Sequence, residues 1–243
     1  MGFDLIKVTQ FVRAVQSLTI AFLILLLSAR VNAQVEAPQL VYSAPDGKIQ
    51  SFIVGSVGVI DIKADLPFIS YSDARAVGAV LGSPYWQIRL ALQKIPANTD
   101  LYVMLESEGG DDNEAKMIAD TINARCAADA TCRITTYVQH SCSSACIFMF
   151  GKIGNSHIAG PEARFGFHAS RNISTATVDL APESESVKFY ADAGVNLNWL
   201  REAQKAGVFS KVDMTYFSAS DMLAIGFVEK LSNPEAVLKI EDR

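Results

Sequence analysis

Apolar and polar positions change period several times along the chain. An apolar run, Leu18–Ala29, follows Lys7 and Arg13. Residues 34–50 are polar and contain prolines, the composition of a loose leader or linker. Phe52–Ile62, rich in Val, Ile and Gly, predicts a strand. Trp86, Leu90, Leu92 and Ile95 lie in a helical stretch that Pro96 ends. A repeating order then begins. Leu101–Leu105 predicts a short strand, and Ala115, Ile118, Ala119 and Ile122 recur at helical spacing on one face. Ile134–Val138 predicts a second strand, followed by a Ser/Cys turn and the apolar run Ala145–Phe150. Phe165–Phe167 predicts a third strand. Arg171–Val187, rich in Ser, Thr and acid, reads as a surface loop or insertion, and Lys188–Ala206 as helix. Ser218–Ile225 reads as a capped helix, with Ser218 at the N-cap, Asp221 three residues on and Gly226 past the end. Strands alternating with helices at this spacing predict an α/β domain with a parallel sheet and right-handed crossovers. No internal repeat or second boundary interrupts residues 51–243, so one domain is expected there.

The first 33 residues have the order of a secretory signal: positive charge, a short apolar core, then Val31-Asn32-Ala33 as the small-residue cleavage site. The run is shorter than the roughly 20 apolar residues of a membrane-spanning helix. Arg30, just before that site, keeps an uncleaved anchor as the alternative, and with it a membrane association. The expected location is periplasmic or secreted. Such a compartment permits disulfides among the four cysteines. Cys126 and Cys132 flank a short polar loop and are the expected pair, while Cys142 and Cys146 read as small buried residues. A zinc cluster at His140, Cys142 and Cys146 lacks a second ligand group of suitable spacing. The net charge of -5, without a basic block, argues against a nucleic-acid partner.

Three places could carry chemistry. Glu108-Gly109-Gly110 lies between a strand and a helix, where glycines expose N–H groups able to hold negative charge, although a Gly-Gly pair is often only a turn. Ser141-Cys142-Ser143-Ser144-Ala145-Cys146 also joins a strand to a helix, where a serine serves either as nucleophile or as a helix cap. His168 ends an apolar strand and is one of three histidines, with His140 and His157. It would be the base a serine needs, or a satisfied structural residue.

The order of these blocks resembles the Clp proteolytic subunit and its relatives in the Clp-protease/crotonase superfamily. The likeness runs from Leu101 to Leu231 in four blocks: Leu101–Leu105 with Ser107-Glu108-Gly109-Gly110; Ser144-Ala145-Cys146 before an apolar helix; Pro161–His168; and Phe217–Val228. It implies a ClpP/crotonase-like β-β-α spiral. It also implies Ser144 as nucleophile, His168 as general base, and the Gly109 and Ala145 N–H groups as oxyanion hole. Asp213 is the nearest acid to the third triad position, which alignment places at Met214. The departures are Glu108 for the family's proline, Cys146 for a glycine, and a Ser144–Gly151 stretch two residues short, which leaves Ser143 open as nucleophile. Homo-oligomers follow from the resemblance. However, polar Ala169–Val187 stands where the family builds its double ring, and an ATP-driven partner is not expected.

The leading expectation is an exported serine peptidase acting on peptides or unfolded chains, with no cofactor and no metal. Three alternatives are carried: a non-catalytic member that binds peptides or a partner, crotonase-like acyl-CoA chemistry, and Cys142 or Cys146 as a thiol nucleophile.

Overall fold

The computed structural model describes residues 37–66, 82–97, 99–127, 131–169, 184–211 and 213–233. The expected signal at residues 1–33 lies outside them, as do residues 67–81 and 170–183. In chain order the elements are β1 (Gln39–Ser43), β2 (Ile49–Val54), β3 (Val57–Ile62), α1 (Pro84–Lys94), β4 (Leu101–Ser107) and α2 (Asp112–Ala124). They continue with β5 (Ile134–Ser143), α3 (Ala145–Lys152), β6 (Ser156–Ala159), β7 (Arg164–Phe167), α4 (Glu185–Asp192), α5 (Leu197–Lys205), β8 (Thr215–Ser218), α6 (Ala219–Ala224) and β9 (Lys230–Leu231).

The strands form one mixed sheet within a single α/β unit, in the order β1-β2-β3-β4-β5-β6-β9. Its centre, β3 through β6 to β9, is parallel, and β1–β2–β3 is an antiparallel meander on one side. Burial explains the strand assignments. Along β4, Leu101, Val103, Leu105 and Ser107 are buried and the positions between them only partly so, the period of two that a pleated strand imposes. In α2 the buried side includes all four residues of the 3.6-period stripe, Ala115, Ile118, Ala119 and Ile122. Helix α3 is apolar all round, and Ala145–Phe150 are all buried. There Phe150 meets Phe165 and Phe227 edge-on, at centroid distances of 5.2 and 5.3 Å.

Strand β5 forks the sheet. Its first part, Thr135–Val138, pairs with β6. Its last three residues, Ser141–Ser143, pair instead with Arg164–Gly166 of β7, which pairs antiparallel with β8. On the other side, Cys142 stands opposite Ser107 of β4. Ser107, Cys142 and Phe165 therefore form one row across three parallel strands. Just past their C-terminal ends lie Gly109, Ser144 and His168. This rim is where parallel α/β sheets place ligands, because the chain turns into helices there and leaves N–H groups unpaired.

Several expectations change. Residues 34–50 are not all leader: Gln39–Ser43 is the edge strand β1, and β2 begins at Ile49. The strand expected over Phe52–Ile62 is a hairpin, turning at Gly55 with φ 57°. The helix expected over Lys188–Ala206 is two helices, divided at Gly194 (φ 91°) and the N-cap Asn196. The polar stretch Ser141–Ser143 is strand and not turn, because β7 supplies its pairing partners.

Candidate active site

Each helix among the described residues begins at a polar N-cap, and five of the six use the cap's side chain. Ser83 accepts from Trp86 N–H, Asp111 from Asn113 and Glu114 N–H, and Ser184 from Val187 N–H. Asn196 accepts from Asn198 and Trp199 N–H, and Ser218 from Asp221 N–H. Ser144, the N-cap of α3, makes no such bond. Its hydroxyl faces His168 instead, with Oγ 2.7 Å from Nε2. The backbone explains the redirection. Ser144 has φ 54° and ψ -122°, the only positive φ outside glycine among the described residues. Such a conformation costs about 1–3 kcal/mol and persists only where surroundings enforce it. Two hydrogen bonds of 2.9 Å hold it: Ser144 N–H donates to Gly166 O, and Ile147 N–H donates to Ser144 O.

His168 is oriented from its other side. Nδ1 lies 2.7 Å from the Ala169 carbonyl oxygen. A carbonyl only accepts, so Nδ1 carries the proton and Nε2 of the neutral ring accepts from the Ser144 hydroxyl. Burial pushes the imidazole pKa below its usual 6.5, and the Ala169 carbonyl pulls part of the way back. The ring is thus in its base form at neutral pH. Asp213 is not brought to it. That carboxylate is exposed, with no hydrogen bond or ion pair to a described residue. A main-chain carbonyl stands where a carboxylate was sought.

Gly109 fits against the elbow. With φ 99°, a Cβ there would sit 2.6 Å from both Ser143 O and Ser144 Cβ, and 2.9 Å from Ala145 N. Only glycine leaves the space in front of Ala145 N–H open, and that N–H has no partner among the described residues. The Gly109 N–H is already engaged, donating to Ser107 Oγ at 3.0 Å. Ser107 Oγ in turn reaches Asp65 Oδ1 at 3.5 Å, and the same oxygen accepts from Glu108 N–H at 2.8 Å. The Glu108 carboxylate is exposed, held by the Ser141 hydroxyl at 2.9 Å and the Tyr216 hydroxyl at 3.0 Å.

The alternative residues are separated by geometry. Ser143 is fully buried and its hydroxyl has no partner among the described residues, while Ser144 is the serine that meets His168. Cys142 and Cys146 are joined in a disulfide, as are Cys126 and Cys132, which leaves no thiol to act as nucleophile. His140 is exposed, and His157 sits 2.8 Å from Thr136 Oγ1.

Tyr190 was not singled out by sequence. It is buried, and its hydroxyl accepts from His168 N–H at 3.4 Å and donates to His168 O at 3.5 Å, beside the Ser144 side chain. Burial drives its pKa far above that of a free phenol, so it stays protonated. Asp112, the first residue of α2, acts on Tyr190 through its charge. Burial raises its own carboxyl pKa to about 6, against the pull of Lys116 and with help from Asp111 and Glu185. Tyr190 lies in no local motif, and only the tertiary structure brings it to the site; Asp112 closely follows the Glu108-Gly109-Gly110 turn. Among the described residues, no helix is long and apolar enough to cross a membrane, and no three His, Cys, Asp or Glu side chains group as metal ligands. In comparisons with known proteins, no family description and no curated protein matches this chain.

Proposed function

We propose that the chain is an exported serine hydrolase of Clp-protease/crotonase type that cleaves peptide bonds through an acyl-enzyme. The observation that carries the reading is Ser144: among the described helix N-caps it alone gives up capping, in a strained backbone conformation, to place its hydroxyl on His168. The forked sheet, which sets two strand–turn–helix units side by side at one rim, supports the fold assignment. Two disulfides agree with an oxidising compartment.

In this mechanism Ser144 Oγ attacks the peptide carbonyl carbon while Nε2 of His168 takes its proton. The developing oxyanion is held by Ala145 N–H, and by Gly109 N–H once it exchanges Ser107 Oγ for the substrate. His168 returns the proton to the leaving amine. A water, deprotonated by the same nitrogen, then releases the acyl group. The Ala169 carbonyl keeps the tautomer but supplies no full negative charge to the imidazolium. The rate is therefore expected to fall below that of a full triad.

The test is covalent labelling by a fluorophosphonate. Labelling that survives in Ser143→Ala but is lost in Ser144→Ala and His168→Ala supports the assignment. A folded, unaltered protein that takes no label overturns it. A second reading, a peptide-binding module without catalysis, draws on the occupied Gly109 N–H and on a carbonyl, not a carboxylate, at His168 Nδ1. It requires peptide binding that is unchanged in Ser144→Ala.

A further inference from the structure

Resting on that serine-hydrolase reading, we propose that the Cys142–Cys146 disulfide is a positioning device for Ser144. The bond clamps the β5–α3 elbow so that the hydroxyl stays on His168, and opening the bond uncouples the pair.

The two half-cystines sit two residues either side of Ser144, one next to last in a strand and the other in the first turn of a helix. Four residues of extended chain would span about 13 Å. Here the two Cα atoms are 5.2 Å apart, so the bond closes the mouth of the sharp turn that carries Ser144. Both cysteines are fully buried. Cys142 is also locked into the sheet, opposite Ser107 of β4 and Phe165 of β7. Cys146 is therefore tied to a fixed point. Among the described residues, the elbow is otherwise held by two main-chain hydrogen bonds, the β7 pairing of Ser143, the Ser144–His168 hydrogen bond and the close approach of Gly109. A positive-φ serine relaxes readily once its surroundings loosen. A cross-link over so few residues removes little chain entropy from the unfolded state, so its effect is concentrated on local geometry.

Opening is a two-electron reduction. A dithiol reductant's thiolate attacks one sulfur to give a mixed disulfide and a cysteine thiolate. Its second thiolate then displaces the other cysteine, leaving two protein thiols and the oxidised, cyclic reductant.

The experiment measures fluorophosphonate inactivation of the full protein over a range of probe concentrations, which separates the binding constant from the maximal rate. In a Cys142→Ala/Cys146→Ala variant the maximal rate should fall about tenfold to a hundredfold, as a small displacement of a reacting group does, while probe binding stays within about twofold. Cys126→Ala/Cys132→Ala should keep the original rate. Unaltered protein treated with the dithiol well below its melting temperature should lose rate, and should regain it when the bond is re-formed. A purely structural bond would lower the melting temperature and leave that rate unmoved, which overturns the proposal. If the double variant does not fold, the reduction and re-oxidation series decides alone. An unaltered protein that takes no label removes the hydrolase reading and this inference together. One that labels at the same rate with the bond open or closed removes only the inference.

Discussion

Two strand-to-helix turns stand side by side at the rim of the sheet, and they are built to opposite ends. The β4–α2 turn relies on glycine: Gly109 and Gly110 take φ 99° and 128°, where the lack of a side chain makes such angles accessible. Its cap, Asp111, satisfies two N–H groups of the helix, and Leu66 exchanges main-chain hydrogen bonds with Gly109 and Asp111. The β5–α3 turn places a serine at positive φ and leaves the helix without a side-chain cap. Identical supersecondary units therefore divide the work. One is locally relaxed and serves as a wall, and the other holds strain that only its neighbours sustain.

The comparison breaks most sharply at Ser144. Ser144→Gly removes the hydroxyl and supplies the one residue that tolerates φ 54°. Fluorophosphonate labelling should vanish while the thermal midpoint holds or rises, a gain of about 1 kcal/mol from relieved strain set against the flexibility of glycine. A large fall in the midpoint would show that the hydroxyl is part of the fold.

Gly109→Ala attacks the same elbow from the wall. Its methyl would press on Ser143 O and Ser144 Cβ at 2.6 Å. Labelling should drop about a hundredfold, with a stability loss of about 1–3 kcal/mol from overpacking. Unchanged labelling would mean that the two turns are independent.

Tyr190→Phe keeps the buried ring and deletes the hydroxyl beside His168 and Ser144. A loss of about tenfold in maximal labelling rate is expected, the scale of one hydrogen bond, with probe binding little changed.

The pH profile sharpens the account of His168. Its pKa lies below 6.5 because burial disfavours the charged ring. The neutral base is thus fully present above pH 6.5 and is lost only as pH falls through the lowered value. Labelling should be flat through neutrality and half-maximal below pH 6.5. Asp112, at about 6, titrates in the same region, so Asp112→Asn separates the two: the descending limb must remain in that variant if it belongs to His168. A midpoint above 6.5 would contradict the buried, neutral imidazole.

The smallest effect is at the wall's own cap. Asp111→Ala should cost about 1 kcal/mol in chemical denaturation and leave the labelling rate alone. A comparable loss of labelling would mean that α2, too, serves the site directly.

Much of this layout could be read along the chain. The helical stripe Ala115–Ile122, the strands at Leu101 and Ile134, and the Ser218/Asp221/Gly226 boundary signals arise from local periodicity and caps, which act within one element. A serine before an apolar helix and a scarce histidine at a strand end are local facts too, but it was the order of the blocks, and the family resemblance it carries, that put Ser144 and His168 forward, with Ser143 left open. Other features depended on partners distant in sequence. Polar Ser141–Ser143 is strand only because β7 lies alongside, and β1 is strand only because β2 pairs with it. The family alignment pointed to Asp213, one residue from the aligned position Met214, while the imidazole is oriented by the carbonyl next to it.

By itself, then, the amino-acid sequence determined which segments bury a face and which residues bear reactive groups, since both follow from side-chain chemistry and spacing. Tertiary structure decided which of three serines turns to the histidine, what orients the ring, and that two buried cysteines close around the elbow. Those outcomes rest on distances of a few ångströms between strands far apart in the chain, and on a backbone strain that no residue would adopt without the surrounding sheet.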